Sequence, residues 1–147
     1  MRPDPWASDG QTILLVDDEP DVRESIVDIL EATLPGVRLL SAPTAEDGLQ
    51  LLSRHRVDLV VSDYRLPGMD GLRFLKAALL QAPQAPRFLV TGHAEMQVPV
   101  EALNAARIEA IVTKPIDASQ LVARIRTALQ RSTGRTPRLA GRNVRGP

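Results

Sequence analysis

The sequence predicts an α/β protein in which a parallel sheet is covered on both faces by helices. Three observations lead there. Five short runs are apolar on nearly every residue, as strands buried on both faces must be. Segments with apolar residues at helical spacing separate them. Proline and glycine punctuate the junctions. A chain of 147 residues suffices for one compact domain and is short for two.

Ile13, Leu14, Leu15 and Val16 form the first run, closed by the acids Asp17, Asp18 and Glu19. Pro20 suits the first turn of a helix, on which Val22, Ile26, Ile29 and Leu30 recur until Pro35 and Gly36 stop it. Val37 to Ala42 reads as a second strand, Ala45, Leu49 and Leu52 as the stripe of a second helix, and Val57 to Ser62 as a third strand. Asp63 sits where that strand ends. A turn from Leu66 to Gly71 leads to a third helix carrying Leu72, Leu75 and Leu79. Pro83 and Pro86 bracket the next loop, and Phe88, Leu89 and Val90 form a fourth strand ending in Thr91 and Gly92. A fourth helix is expected to start near Met96, because Pro99 is tolerable only in its first turn. Ala110 to Val112 is the fifth strand, followed by Thr113, Lys114, Pro115 and a last helix showing Leu121, Val122, Ile125 and Leu129.

Composition removes several chemistries. Without cysteine there are no disulfides, no thiol nucleophile and no cysteine-rich zinc site, which suits a reducing compartment. The apolar runs are too short to span a membrane, and no apolar stretch follows Arg2 as a secretory signal would require, so the cytoplasm is the expected location. Net charge is zero but uneven. Arg131, Arg135, Arg138, Arg142 and Arg145 follow Gln130, where no acid occurs, leaving an acidic body and a basic tail. Of the 18 cationic residues only Lys76 and Lys114 are lysine.

In a parallel sheet of this kind, ligands sit outside the carboxyl ends of the strands. The polar residues expected there are Asp17 and Asp18, Asp63, Thr91 and Lys114. Each alone has a plain structural explanation: acids after a strand cap the next helix, and an aspartate starts a turn. Together they are chemically complementary. Three converging carboxylates repel one another unless a cation lies between them, and Mg²⁺ takes hard oxygen ligands while keeping positions open for phosphate. A hydroxyl and an ammonium opposite the metal would bind the remaining oxygens of a phosphoryl group. In a chain so biased to arginine, Lys114 answers a demand for a compact charge on a flexible stem.

The segments Val16–Glu19, Val61–Gly71, Val90–Gly92 and Thr113–Pro115, in this order and spacing, resemble the receiver domain of bacterial response regulators. The resemblance covers about residues 11 to 131. It implies a flavodoxin-like doubly wound sheet of order 2-1-3-4-5 with five helices. It implies further that Asp63 is the phosphoacceptor, taking a phosphoryl group from a sensor histidine kinase, a phosphotransfer protein or a small donor such as acetyl phosphate. Asp18 would ligate Mg²⁺ directly and Asp17 through water, with Asp63 and the Arg65 backbone carbonyl also on the metal. Thr91 would hydrogen-bond the phosphoryl group and Lys114 would pair with it, while Gly92 keeps the space beside Thr91 open. Such a protein assists its own phosphorylation and dephosphorylation without being an enzyme for a separate substrate. Arg65 and His93 occupy positions that tune phosphate lifetime in the family, where the Lys-Pro peptide is often cis. One departure stands out: the moving aromatic residue of the family is replaced by Ile111.

The expected organisation is a leader over 1–10, the receiver over 11–131 and a basic, disordered tail over 132–147. No effector domain fits in that tail, so either the signal leaves through protein contacts with a downstream target or the chain is a fragment. The resemblance also allows a homodimer through the fourth helix, fifth strand and fifth helix. Specific nucleic-acid binding is not expected, because the tail has neither interleaved aromatics nor a reading helix. Ile111 motivates an alternative, a receiver-shaped interaction module uncoupled from phosphorylation. A phosphatase or flavodoxin-like cofactor binder lacks both a glycine loop after the first strand and a second acid just after Asp63.

Overall fold

The computed structural model describes residues 10–92 and 98–135, with side chains as far as Arg131. Its elements follow in strict alternation: β1 (Gln11–Val16), α1 (Pro20–Thr33), β2 (Val37–Ala42), α2 (Ala45–Arg54), β3 (Leu59–Asp63), α3 (Gly71–Gln81), β4 (Arg87–Thr91), α4 (Val100–Ala105), β5 (Ala110–Thr113) and α5 (Ala118–Arg135). The strands pair in parallel in the order β2-β1-β3-β4-β5, as expected. Among the described residues, no helix is long and apolar enough to cross a membrane.

Successive strand side chains point to opposite faces, which gives the sheet two cores. Ile13, Leu15, Leu59, Val61 and Val90 pack with Ile26 and Leu30 of α1 and Leu121, Ile125 and Leu129 of α5. Leu14, Val16, Val60 and Leu89 pack with Leu52 of α2 and Phe74, Leu75 and Ala78 of α3. The shortest helix, α4, has no buried residue and adds only the half-buried Leu103 to the second core. The sheet is therefore firmly held at its centre and more lightly covered near β5.

Several boundaries differ from expectation for identifiable reasons. Val57 is buried, but the ladder of β3 begins only at Leu59. Before it, Asp58 holds β1 instead: its N–H donates to Thr12 O and its Oδ2 accepts from Thr12 N–H, both at 2.8 Å. On α3 the buried stripe runs through Phe74, Leu75 and Ala78, with Leu72 half-buried against the same core and Leu79 half-buried at its margin. The helix expected near Met96 is observed from Val100, with Pro99 in extended conformation at its N-cap; Met96 lies outside the described residues. Helix α5 runs to Arg135, through Gly134 and into the segment expected as tail, with no proline before Pro137 to stop it. Of the tail, 136–147 lie outside the described residues, as does the leader over 1–9.

Strand β4 begins at Arg87, a charged residue that an apolar pattern excludes. It is 6% exposed and satisfied by backbone carbonyls: Nε donates to Ala106 O at 3.0 Å, Nη1 to Ala85 O and Nη2 to Arg107 O at 3.2 Å. One guanidinium thus clamps the α4–β5 loop, where Arg107 adopts a φ of 51°, onto the start of β4. Arg87→Met is expected to cost about 2–3 kcal/mol, because it strands buried acceptors. Urea unfolding measures the loss, and an unchanged midpoint would show that water replaces the guanidinium without penalty.

Candidate functional site

The strand topology alone brings three acids together. β1 and β3 are neighbours in register, so the residues that follow them emerge side by side. Asp63 closes β3 and is 4% exposed, Asp17 follows β1 and is 1% exposed, and Asp18 is open to solvent. One carboxylate oxygen from each lies within 4.8 Å of the others. Asp17 extends the ladder toward β2 by donating its N–H to Ala42 O at 3.1 Å, and its Oδ1 accepts from Glu19 N–H at 2.9 Å.

The cationic side comes from the far edge. Lys114 follows β5, and its Nζ lies 3.1 Å from Asp63 Oδ2 and 3.7 Å from Glu19 Oε1. Its backbone N–H donates to Thr91 O at 2.8 Å, which fixes the start of the loop against the end of β4. The Lys114–Pro115 peptide is cis. Thr91 is 2% exposed, and its Oγ1 has no hydrogen-bonding partner among the described residues. A buried hydroxyl without a partner is uncommon and suits a site that a ligand completes. Gly92 follows at once and is half-buried.

Electrostatics agree with the geometry. Burial pushes the Asp17 carboxyl above its ordinary pKa against the bond from Glu19 N–H, and the charges of Asp63 and Asp18 push the same way while Lys114 opposes them. Burial alone would lower the Lys114 pKa, but the hydrogen bond and charge of Asp63, with Asp17 and Glu19 behind, outweigh it and raise the value. The cluster is therefore over-supplied with negative charge for one ammonium to neutralise. Hard oxygen donors at this spacing, on one open side, fit a small divalent cation such as Mg²⁺.

A stability consequence follows for Asp17. A carboxyl whose pKa is raised by folding favours the native state at low pH, and that contribution is lost as pH rises from the unfolded pKa through the folded one. Asp17→Asn is accordingly expected to raise the melting temperature by a few degrees in metal-free buffer at neutral pH. The gain should vanish below the ordinary carboxylate range. Thermal melts across pH test this, and a lower melting temperature at neutral pH would contradict it.

Five of the expected residues, Asp17, Asp18, Asp63, Thr91 and Lys114, thus meet at one edge. Arg65 lies beside them, its N–H at 3.5 Å from Asp63 Oδ1, a marginal contact. Ile111 stands apart from the acids: it is 38% exposed on β5, its carbonyl accepts from Arg124 Nη1 at 3.1 Å, and it lines a small cavity of about 90 Å³ with Gln120 and Leu121. His93 lies outside the described residues.

Two participants escaped sequence reasoning. Glu19, one of three acids whose sequence position suits a helix cap, shares Lys114 with Asp63. Gly71 has the composition of a turn residue, but it donates its N–H to Tyr64 O at 2.7 Å, and a Cβ there would stand 1.9 Å from Asp63 O. Helix α3 starts against the backbone of Asp63 itself. A glycine at the first position of a helix, behind the N-cap Asp70 whose Oδ1 accepts from Arg73 N–H at 2.8 Å, was the available signal.

Comparison with known proteins bears on the same region. The family model of the response regulator receiver domain matches residues 13–126. The response regulator protein PilR of Pseudomonas aeruginosa is 35% identical over 82% of this chain, as is the C4-dicarboxylate transport transcriptional regulatory protein DctD of Rhizobium meliloti. The chain spans only 26% of the length of either relative. Among solved structures, the signal receiver domain of an HD domain-containing protein from Pseudomonas fluorescens is similar with a TM-score of 0.78 and 32% identity. That match covers 84% of this chain and 98% of the other. A CheY-like receiver domain protein from Methanospirillum hungatei gives 0.77 and 31%, covering 84% and 97%.

Proposed function

The chain belongs to the response regulator receiver domain family of two-component signalling, and from that premise we propose that Asp63 is its phosphoacceptor and Mg²⁺ its cofactor. The observation that carries the reading is the position of the Asp63 carboxylate, between the acids Asp17 and Asp18 on one side and the Lys114 ammonium on the other. The partnerless Thr91 hydroxyl stands at the adjoining strand end.

In the reaction, a carboxylate oxygen of Asp63 attacks the phosphorus of a phosphohistidine or of acetyl phosphate. The bond from phosphorus to the donor nitrogen or oxygen breaks, its electron pair leaving with the imidazole or the acetate, and an acyl phosphate remains on Asp63. Bound Mg²⁺ supplies positive charge against the phosphoryl oxygens. Asp17, Asp18 and the Arg65 carbonyl would hold the ion with Asp63. Lys114, held 3.1 Å from Asp63 Oδ2, turns from the carboxylate to the phosphoryl oxygens, and Thr91 Oγ1 donates the hydrogen bond it otherwise lacks. Gly92 leaves that approach open. The same groups assist hydrolysis of the acyl phosphate, so the protein is a phosphoacceptor that takes part in its own chemistry rather than an enzyme for a separate substrate.

The partners implied are a sensor histidine kinase or phosphotransfer protein upstream and a protein target downstream, in the cytoplasm. Exposed Ile111, in place of an aromatic ring, makes the surface around α4, β5 and α5 the place where the response to phosphorylation departs from the family. A homodimer through that surface is one form the output takes in this reading. The uncoupled interaction module is not favoured, because it leaves the convergence of five complementary groups without a use.

Intact-mass analysis after incubation with acetyl phosphate and Mg²⁺ tests the proposal. One phosphoryl adduct, lost on omitting Mg²⁺, is expected. No adduct, under conditions that label a control receiver, overturns it.

A further inference from the structure

The acidic pair after β1 depends on a backbone direction that a single side chain holds. Asp17 is fixed at its N–H by Ala42 O and at its carboxylate by Glu19 N–H. Neither contact grips the peptide that joins Asp17 to Asp18. That peptide is gripped at its oxygen: Arg23 Nη1 donates to Asp17 O at 2.7 Å, a short charge-assisted bond from α1 back to the strand end. Arg23 is half-buried, and its own N–H donates to Glu19 O at 2.9 Å, so segment 17–23 is closed on itself by backbone and side chain together.

Asp18 is the member of the trio with no such support. It is exposed, and no donor among the described residues holds its carboxylate. Its direction is inherited from the planar peptide before it, and the carbonyl of that peptide is the atom Arg23 holds. We infer that Arg23 is a positioning residue of the divalent-cation site, its guanidinium orienting the Asp17–Asp18 peptide so that Asp18 is presented to the point shared with Asp17 and Asp63.

The inference rests on the cation reading of the site given above and adds to it a residue outside the acidic cluster. A through-space role would have the opposite sign, since a guanidinium near a cation repels it. Arg23 bonds a main-chain carbonyl and no carboxylate of the cluster, so its route to the site is the peptide it holds. Groups that orient metal ligands from behind commonly contribute about ten- to a hundredfold to affinity. The lower end applies here, because Asp17 and Asp63 are held independently.

The experiment is calorimetric titration of Mg²⁺ alone into the full chain as wild type, Arg23→Ala and Arg23→Lys, with far-UV circular dichroism and metal-free urea unfolding alongside. Arg23→Ala is expected to bind Mg²⁺ about tenfold more weakly. Arg23→Lys, which keeps the charge and one donor, should recover part of the loss and fall about threefold below wild type. A purely structural contact would move the metal-free urea midpoint and leave affinity unchanged. Affinity of Arg23→Ala within twofold of wild type overturns the inference, and so does tighter binding, which would mean repulsion. If Arg23→Ala fails to fold, Arg23→Lys decides, and wild-type affinity in that variant overturns the inference. Absence of Mg²⁺ binding by the wild type itself is a separate result, which overturns the cation reading and Arg23's part with it.

Discussion

Asp63→Asn is expected to abolish the phosphoryl adduct completely, with no other residue becoming labelled. An amide oxygen is a poor nucleophile, and the neighbouring acids are not equivalent substitutes. Asp17 is buried and its carboxylate accepts from Glu19 N–H, and Asp18 is exposed and makes no bond to Lys114, which pairs with Asp63. The change should not unfold the protein. It removes one negative charge from a cluster of three carboxylates, and Lys114 keeps Glu19 at 3.7 Å and a third of its side chain in solvent. Intact mass with acetyl phosphate, paired with a melt in metal-free buffer, separates chemistry from folding. An adduct of wild-type abundance in the variant would falsify the assignment of Asp63.

The second large effect concerns Gly71. Its φ is not in the left-handed region, so the need for glycine comes from space alone. A Cβ would stand 1.9 Å from Asp63 O, 2.8 Å from Asp63 C and 2.9 Å from Tyr64 Cα, all backbone atoms that no rotamer change can move. Gly71→Ala must therefore push the start of α3 off the end of β3, breaking the 2.7 Å bond to Tyr64 O and shifting Asp63 with it. A loss of about 3 kcal/mol is expected, at the upper end of overpacking costs. Gly36 is the control: its φ of 92° strains an alanine, but nothing lies within 4 Å of the added carbon, and a cost of about 1–2 kcal/mol is expected. Urea unfolding of both variants ranks them, and the reverse order would refute the steric account. Gly71→Ala should also label more slowly with acetyl phosphate than its residual folded fraction predicts.

The fold was legible because the three central strands carry their burial in their composition: Ile13 to Val16, Leu59 to Ser62 and Phe88 to Val90 are apolar or small and buried, whereas the edge strands β2 and β5 are only partly covered. The convergence of Asp17, Asp18, Asp63, Thr91 and Lys114 was legible for the related reason that such a sheet brings together whatever follows its strands. What escaped was of another kind. Arg87 breaks the apolar pattern because three main-chain carbonyls satisfy it, that of Ala85 just before it and those of Ala106 and Arg107 from the α4–β5 loop, and such acceptors have no sequence signature. Arg23 looks like any solvated helical arginine until its guanidinium is seen on Asp17 O. Gly71 looks like turn chemistry until α3 is docked on Asp63. In each case the partner is a main-chain atom, and main-chain atoms are the same in every sequence. The early start of α4 rested on where a helix tolerates proline, a rule that also permits Pro99 just outside the helix, where it is found.

The bond from Lys114 N–H to Thr91 O joins two residues that belong to different elements of the chain. Each supplies a different chemical group, but their backbones share one rung at the end of the β4–β5 ladder, with Thr91 opposite Thr113 in register. Hydroxyl and ammonium are thus mounted on a common frame. A displacement of β5 is expected to strain the bond that holds Thr91 and so to reach both groups. Perturbations at the two positions should interact rather than add: once one strand end has slipped, the other group is already misplaced. Ile111 sits on the same short strand, so the frame reaches from the acidic edge to the exposed surface.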